Sequence, residues 1–114
     1  MLYNNSPDYF RNDGEAFALL DLGALNVFLS VAEHGSFSEA GRRLQLTQPA
    51  ISQTIQNLER NLGVELFDRQ GKSVRLTEAG QMLRPMAGEL LESARRLKET
   101  MSSVHGEVIG ELNI

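Results

Sequence analysis

The sequence predicts a mainly α-helical fold: three short helices, a two-stranded β-hairpin and then one long helix. Three observations carry this prediction. Apolar residues recur at helical spacing in separate segments of the chain. Ser, Thr or Asp stands before most of these segments, and Gly follows several of them. Between Val64 and Leu76, two short apolar stretches flank a polar turn that contains glycine.

The elements follow in chain order. Residues 1–20, rich in Asn, Asp, Gly and Tyr at the start, show no clear period and read as a loosely ordered extension. The first helix is expected over 22–34. Leu25, Phe28, Leu29 and Ala32 form one stripe, Asp21 is the cap, and Gly35 follows the end. Ser36-Phe37-Ser38-Glu39 has the form of a capping box, in which Ser36 accepts from the Glu39 N–H and Glu39 reaches back. That short second helix ends near Leu44. Its Ala40 and Gly41 are small enough to admit a neighbouring helix, and Arg42 and Arg43 face outward or sideways.

Thr47 is expected to cap a third helix, with Pro49 in the first turn, where a missing N–H breaks no intrahelical bond. At 100° per residue, Ile51, Ile55, Leu58 and Leu62 fall on one side. Gln48, Pro49, Ser52, Gln53 and Gln56 fall on the other, and Gly63 stops the helix. Val64–Phe67 and Val74–Leu76 read as the strands of a hairpin with Arg69 and Lys72 near its tip. Thr77 then caps a long helix expected to reach about Val104. Leu83, Met86, Leu90, Ala94, Leu97, Met101, Val104 and Val108 trace a nearly heptad seam. Pro85 should bend this helix or loosen its first turns. Gly106 and Gly110 should end it, and Gly110–Ile114 alternates like the start of a strand.

Composition removes several functions. There is no cysteine, which excludes disulfides and thiolate metal sites and suits a reducing cytoplasm. His34 and His105 are far apart and receive no chemical role. No apolar run is long enough to span a membrane, and the N-terminus does not resemble a signal peptide. No nucleophile–base pair, metal cluster or phosphate-cradling glycine loop is visible, so an enzyme is not expected. The net charge of −4 is unevenly spread: segments 1–35, 36–76 and 77–114 carry −4, +2 and −2. The only positive segment contains the third helix. A footprint for nucleic acid is judged by its local patch rather than by the chain total.

Helix, short helix, tight turn, helix, hairpin is the order of a winged helix-turn-helix. In that arrangement the third helix turns its polar face to the major groove. Glutamine amides and serine hydroxyls both donate and accept, as base edges require. A helix-turn-helix also serves as a protein-interaction module without DNA, and pattern alone leaves that alternative open.

The stretch Phe28–Gly80 resembles the N-terminal DNA-binding domain of LysR-type transcriptional regulators. The matching features include Ala32-Glu33, Gly35-Ser36-Phe37, Ala40, Leu44 and Gln48-Pro49-Ala50-Ile51-Ser52. They continue with Ile55, Leu58-Glu59, Leu62-Gly63, Leu66-Phe67, Arg69 and Leu76-Thr77-Glu78-Ala79-Gly80. The resemblance extends more loosely to Ile114. It implies a bacterial, cytoplasmic, nucleoid-associated regulator with a DNA-binding domain over 21–76 and a linker helix over 77–106. It also implies that 107–114 begins an effector-binding domain absent from this chain. No cofactor is then expected within the chain, a small-molecule effector being bound by that absent domain. Expected partners are double-stranded DNA, a second copy through the linker helix, a tetramer for the full-length protein, and RNA polymerase. Two departures stand out. Gln53 occupies a position where many members carry arginine, and the first helix begins later than usual.

Site residues are expected as follows. Gln48, Pro49, Ser52, Gln53 and Gln56 lie at or near base edges. Ser36, Ser38, Arg42, Arg43 and Thr47 are phosphate candidates, and Arg69 and Lys72 belong to the wing. The competing role for Arg69 is an ion pair with a nearby carboxylate such as Asp68 or Glu65, and for Arg42 and Arg43 a solvated helix surface. Leu83, Met86, Leu90, Ala94, Leu97 and Met101 form the dimer seam, the competing role being packing on their own domain.

Overall fold

The computed structural model describes residues 20–70 and 73–113. The expectations for residues 1–19, for Lys72 and for Ile114 lie outside the described residues, as do the side chains of 105–113, including Val108. The order is α1 (Leu22–His34), α2 (Phe37–Leu44), α3 (Gln48–Leu62), β1 (Phe67–Asp68), β2 (Arg75–Leu76) and α4 (Glu78–Asn113). The winged helix-turn-helix expectation is met.

Local chemistry sets the first three helices. The Asp21 side chain accepts from Gly23 N, Ser36 Oγ from Glu39 N at 3.0 Å, and Thr47 Oγ1 from Ala50 N at 3.2 Å. Each takes up an N–H that the helix itself leaves unpaired. Gly35 and Gly63 close α1 and α3 in the left-handed region, at φ 63° and 74°. Gln45 does the same for α2 at φ 59°, as a non-glycine. The tight turn beyond it is sealed by Leu46 N donating to Gly41 O at 2.8 Å. Gly41 serves both this turn and the neighbouring helix: a Cβ on it would lie 2.6 Å from Leu46 O and 3.7 Å from Ile51 Cγ1 of α3.

The core lies among α1, α2, α3, the strand ends and the first turns of α4. It is built from Ala24, Leu25, Val27, Phe28, Val31, Ala40, Ile51, Ile55, Leu58, Leu66, Phe67 and Ala87. The buried face of α1 is broader than its expected stripe. Ala24, Val27 and Val31 are fully inside, while Leu29 and Ala32 are half-buried at the edge. Ile51, Ile55 and Leu58 are buried as expected, and Leu62 packs on the rim. These apolar contacts fix the rotation of α3 about its axis, and so decide which side chains it turns outward.

The hairpin is shorter than the sequence suggests. Among the described residues only Phe67↔Leu76 and Asp68↔Arg75 pair, antiparallel. Val64 and Glu65 lead into it outside the ladder, and Thr77 locks its base. Thr77 N donates to Leu66 O at 2.9 Å and Thr77 Oγ1 to Glu65 O at 2.6 Å, while Gly80 N donates to Thr77 Oγ1 at 3.1 Å. A Cβ on Gly80 would stand 2.3 Å from Leu66 O and 2.8 Å from Leu76 Cδ2, so only glycine fits this crossing of wing and helix.

Three expectations for the long helix need correction. α4 runs through Gly106 and Gly110 to Asn113, so neither glycine ends it, and 110–113 is helical rather than strand-like. Among the described residues no strand lies beside 110–113 to complete its hydrogen bonds, whereas a helix completes its own. Pro85 sits inside the helix without ending it. Having no N–H, Pro85 cannot donate to the carbonyl of Gln81 one turn back, and Gln81 is an exposed residue. Finally, the apolar residues of α4 divide into two stripes. Ala79, Leu83, Ala87 and Leu91 pack on the domain's own core. Met86, Leu90, Leu97 and Met101 are exposed, and Ala94 is half-buried. Leu83 therefore serves its own domain.

Candidate nucleic-acid interface

α2, the turn at Gln45-Leu46 and α3 place the start of α3 at the surface beside the start of α2. Ser38 Oγ donates to Gln48 Oε1 at 3.1 Å across this junction. Ser36, Phe37, Ser38, Gln48, Ser52, Arg69 and Val74 line one depression of about 240 Å³. Five residues expected from sequence at the interface, drawn from α2, α3 and the wing, are thus brought together: Ser36, Ser38, Gln48, Ser52 and Arg69.

Pro49, Gln53 and Gln56 lie further round α3, all exposed. Thr47 uses its hydroxyl oxygen as the helix cap. The N-terminus of α3 opens at the same surface, and its partial positive charge favours an anion there. Among the described residues, none from Gln48 to Gln56 is charged.

Arg42 and Arg43 stand elsewhere and are engaged. The Glu39 carboxylate accepts from Arg42 NH1 at 2.8 Å and from Arg43 Nε at 3.0 Å. The expected reach of Glu39 back to its own cap is replaced by these two bonds, because cations one turn ahead outcompete a neutral N–H. The hydrogen bond from Arg43, aided by Arg42, holds the Glu39 carboxyl below the usual carboxylate range. Both arginines are largely exposed, so the pairing leaves their remaining N–H groups open to solvent.

Arg69 pairs with neither Asp68 nor Glu65. Its NH2 meets Glu59 Oε1 at 3.3 Å, and its guanidinium lies over the Phe37 ring at 5.0 Å. Glu59 is the hinge pin of the site. Its Oε2 accepts from Leu66 N at 2.8 Å and, more distantly, from Phe67 N at 3.4 Å. One side chain of α3 thus holds the root of the wing and, through Arg69, its edge. Aromatic contacts back this up: Phe67 stacks tilted on Phe28 at 5.4 Å and edge-on to Phe37 at 6.0 Å. Nothing local in the sequence marks Glu59 for this task.

Asn57 and Arg60 were also passed over. At 100° per residue Arg60 falls between Pro49 and Gln53 on the exposed face, so the same helical projection would have found it. Arg60 NH1 donates to Asn57 Oδ1 at 2.8 Å, and Gln53 Nε2 donates to the same oxygen at 3.1 Å. In the wing, the register sets Arg75 opposite Asp68. Among the described residues no group of metal-ligating side chains occurs, and no helix is long and apolar enough to cross a membrane.

Comparison with known proteins places this geometry. Residues 22–81 match the family described as bacterial regulatory helix-turn-helix protein, lysR family. An uncharacterized HTH-type transcriptional regulator in the ibpB-leuC intergenic region of Azotobacter vinelandii is 50% identical over 95 residues, 83% of this chain and 66% of that protein. The RuBisCO operon transcriptional regulator of Allochromatium vinosum is 39% identical over 95 residues, 83% of this chain and 32% of its own length. The chain thus spans just under two thirds of the first relative and about a third of the second. Among solved structures, the DNA-binding domain of CbnR in complex with DNA superposes with TM-score 0.72 at 34% identity, covering 75% of this chain and 98% of that one. Vibrio fischeri DarR in complex with DNA gives 0.74 at 32% identity, covering 76% of this chain and 30% of that one.

Proposed function

The chain belongs to the LysR family of bacterial helix-turn-helix regulatory proteins, and from that membership we propose that it binds double-stranded DNA sequence-specifically. α3 enters the major groove and the wing meets the flanking backbone or minor groove. The observation that carries this reading is the convergence of Ser36, Ser38, Gln48, Ser52 and Arg69 on one depression at the open end of α3. Mixed donors and acceptors there match base edges, and a helix N-terminus matches phosphate. Gln48, Pro49, Ser52, Gln53 and Gln56 lie at or near base edges. Thr47, Ser36 and Ser38 lie at the backbone, and Arg42 and Arg43 reach it when they leave Glu39. Lys72 extends the wing's contact.

Two copies pair through α4, with Met86, Leu90, Ala94, Leu97 and Met101 as the seam. Its large side chains, Met86, Leu90, Leu97 and Met101, are 63%, 43%, 63% and 56% exposed. A row of large apolar side chains left in water favours association. Two-fold pairing would bring two α3 helices to successive half-sites. No residue of 1–114 is assigned to tetramer formation, contact with RNA polymerase or recognition of a small-molecule effector.

Gel retardation on duplex DNA across a salt series tests the reading. We expect a retarded complex whose log affinity falls linearly with log salt. Gln53→Ala should relax preference at one or two bases, by ~1–3 kcal/mol. Lys72→Ala should weaken all sequences alike and flatten the salt slope by roughly one unit. Absence of any complex at low salt would leave the helix-turn-helix as a protein-contact module.

A further inference from the structure

The exposed side of α3 contains a relay of three side chains. Arg60 NH1 and Gln53 Nε2 both donate to Asn57 Oδ1. A guanidinium has donors only, so it turns the oxygen of the Asn57 amide toward itself. Gln53 meets that same oxygen and must present its N–H₂ to it, because oxygen against oxygen repels. Arg60 therefore dictates, from two helical turns away, which way round the Gln53 amide stands. What remains uncommitted on Gln53 is one acceptor, Oε1, and one Nε2–H.

We propose that Asn57 and Arg60 are positioning residues that set base specificity through Gln53, giving it a preference for adenine over guanine at the base pair it faces. This rests on the DNA-binding reading above. The major-groove edge of adenine offers an acceptor, N7, and a donor, N6–H₂. These complement one N–H and one carbonyl oxygen from a single planar amide. Guanine offers two acceptors, N7 and O6. With one N–H held by Asn57, Gln53 meets guanine with a single donor and a repelling oxygen. In the free protein the relay is exposed and contributes little to folding. In a closed groove water is displaced, and a mismatched donor or acceptor is then expensive to leave unmade.

The test starts from selection on a pool of randomised duplexes, using the whole chain. The base pair read by Gln53 is the one whose preference disappears in Gln53→Ala. At that pair, the wild type should favour adenine over guanine by on the order of tenfold. Asn57→Ala and Arg60→Ala should shrink that ratio to about threefold or less. Asn57→Asp, which keeps an acceptor oxygen between Arg60 and Gln53, should restore it. Thermal midpoints should move by no more than a few degrees, since all three side chains are exposed and only helix propensity changes. An unchanged ratio in Asn57→Ala, a wild-type preference for guanine, or no position sensitive to Gln53→Ala would each overturn the relay while leaving DNA binding intact. Failure of the wild type to select any duplex would overturn both.

Discussion

Replacing Glu59 by alanine should cost the domain about 1–4 kcal/mol. The figure is assembled from the three bonds this carboxylate accepts. Leu66 is only 1% exposed, so its N–H, bonded to Oε2 at 2.8 Å, has little access to water once the carboxylate is gone. A buried donor left without a partner costs ~1–3 kcal/mol. The Phe67 N–H at 3.4 Å is a long contact and adds a few tenths. The ion pair with Arg69 joins side chains 37% and 14% exposed, so solvent screening limits it to ~0–1 kcal/mol. Small domains are stable by ~5–15 kcal/mol in total, so the loss is a substantial fraction. Urea unfolding followed by circular dichroism would show a lower midpoint with an unchanged slope, and the melting temperature should fall by roughly 5–20 °C. Glu59→Gln should lose about half as much, because its carbonyl can hold Leu66 N while its amide confronts Arg69 donor to donor. Arg69→Ala should lose only ~0–1 kcal/mol. A loss below ~0.5 kcal/mol in Glu59→Ala would refute the reasoning, since an exposed carboxylate is worth no more than that. So would an equal loss in Arg69→Ala, which would place the energy in the ion pair rather than in the wing's backbone.

Other outcomes follow from single contacts. Gly80→Ala should destabilise despite alanine's better helix propensity of ~1 kcal/mol, because its Cβ would meet Leu66 O at 2.3 Å. Gly88→Ala, where a Cβ meets nothing within 4 Å, should stabilise by ~0.5–1 kcal/mol; thermal unfolding of the pair checks the opposite signs. Glu39→Gln releases Arg42 and Arg43, so duplex binding should tighten and its salt slope steepen; unchanged binding would mark both arginines as solvated surface. Acid should act in the same direction. The Glu39 carboxyl is depressed in the fold, so its stabilisation is present above the ordinary carboxylate value and is lost as pH falls through the depressed one. Leu97→Glu, at a side chain 63% exposed, should abolish self-association in sedimentation while leaving the unfolding of one copy unchanged; loss of folding instead would mean that Leu97 packs within its own domain.

The parts legible in the sequence are those whose physics is local. Asp21, Ser36, Thr47 and Thr77 announce their helices because each cap bond spans two or three residues. Ile51, Ile55 and Leu58 announce the rotation of α3 by their spacing, and the outward glutamines follow from it. Glu59 was illegible in this role because its partners lie seven to ten residues on, across a turn. A glutamate on a helix looks the same whether it faces water or the root of a wing. In α4, one periodic pattern concealed two faces. The step from Leu83 to Met86 crosses from the stripe that packs inward to the one that faces water, and spacing alone does not tell which stripe has a partner. The alternation at 110–113 misled for a related reason: a strand is a property of two segments, and periodicity describes only one.

The stripe that packs inward also divides α4 into a held part and an arm. Ala79, Leu83, Ala87 and Leu91 clamp its first turns to the core. The 22 residues after Leu91, up to Asn113, at about 1.5 Å each, then extend roughly 33 Å beyond the clamp. A tilt of about one degree at the clamp carries the far end through about 0.6 Å. A pull at the far end is therefore borne first by the packing of Leu91 and Ala87, and reaches the close crossing of Gly80 with Leu66 only through them.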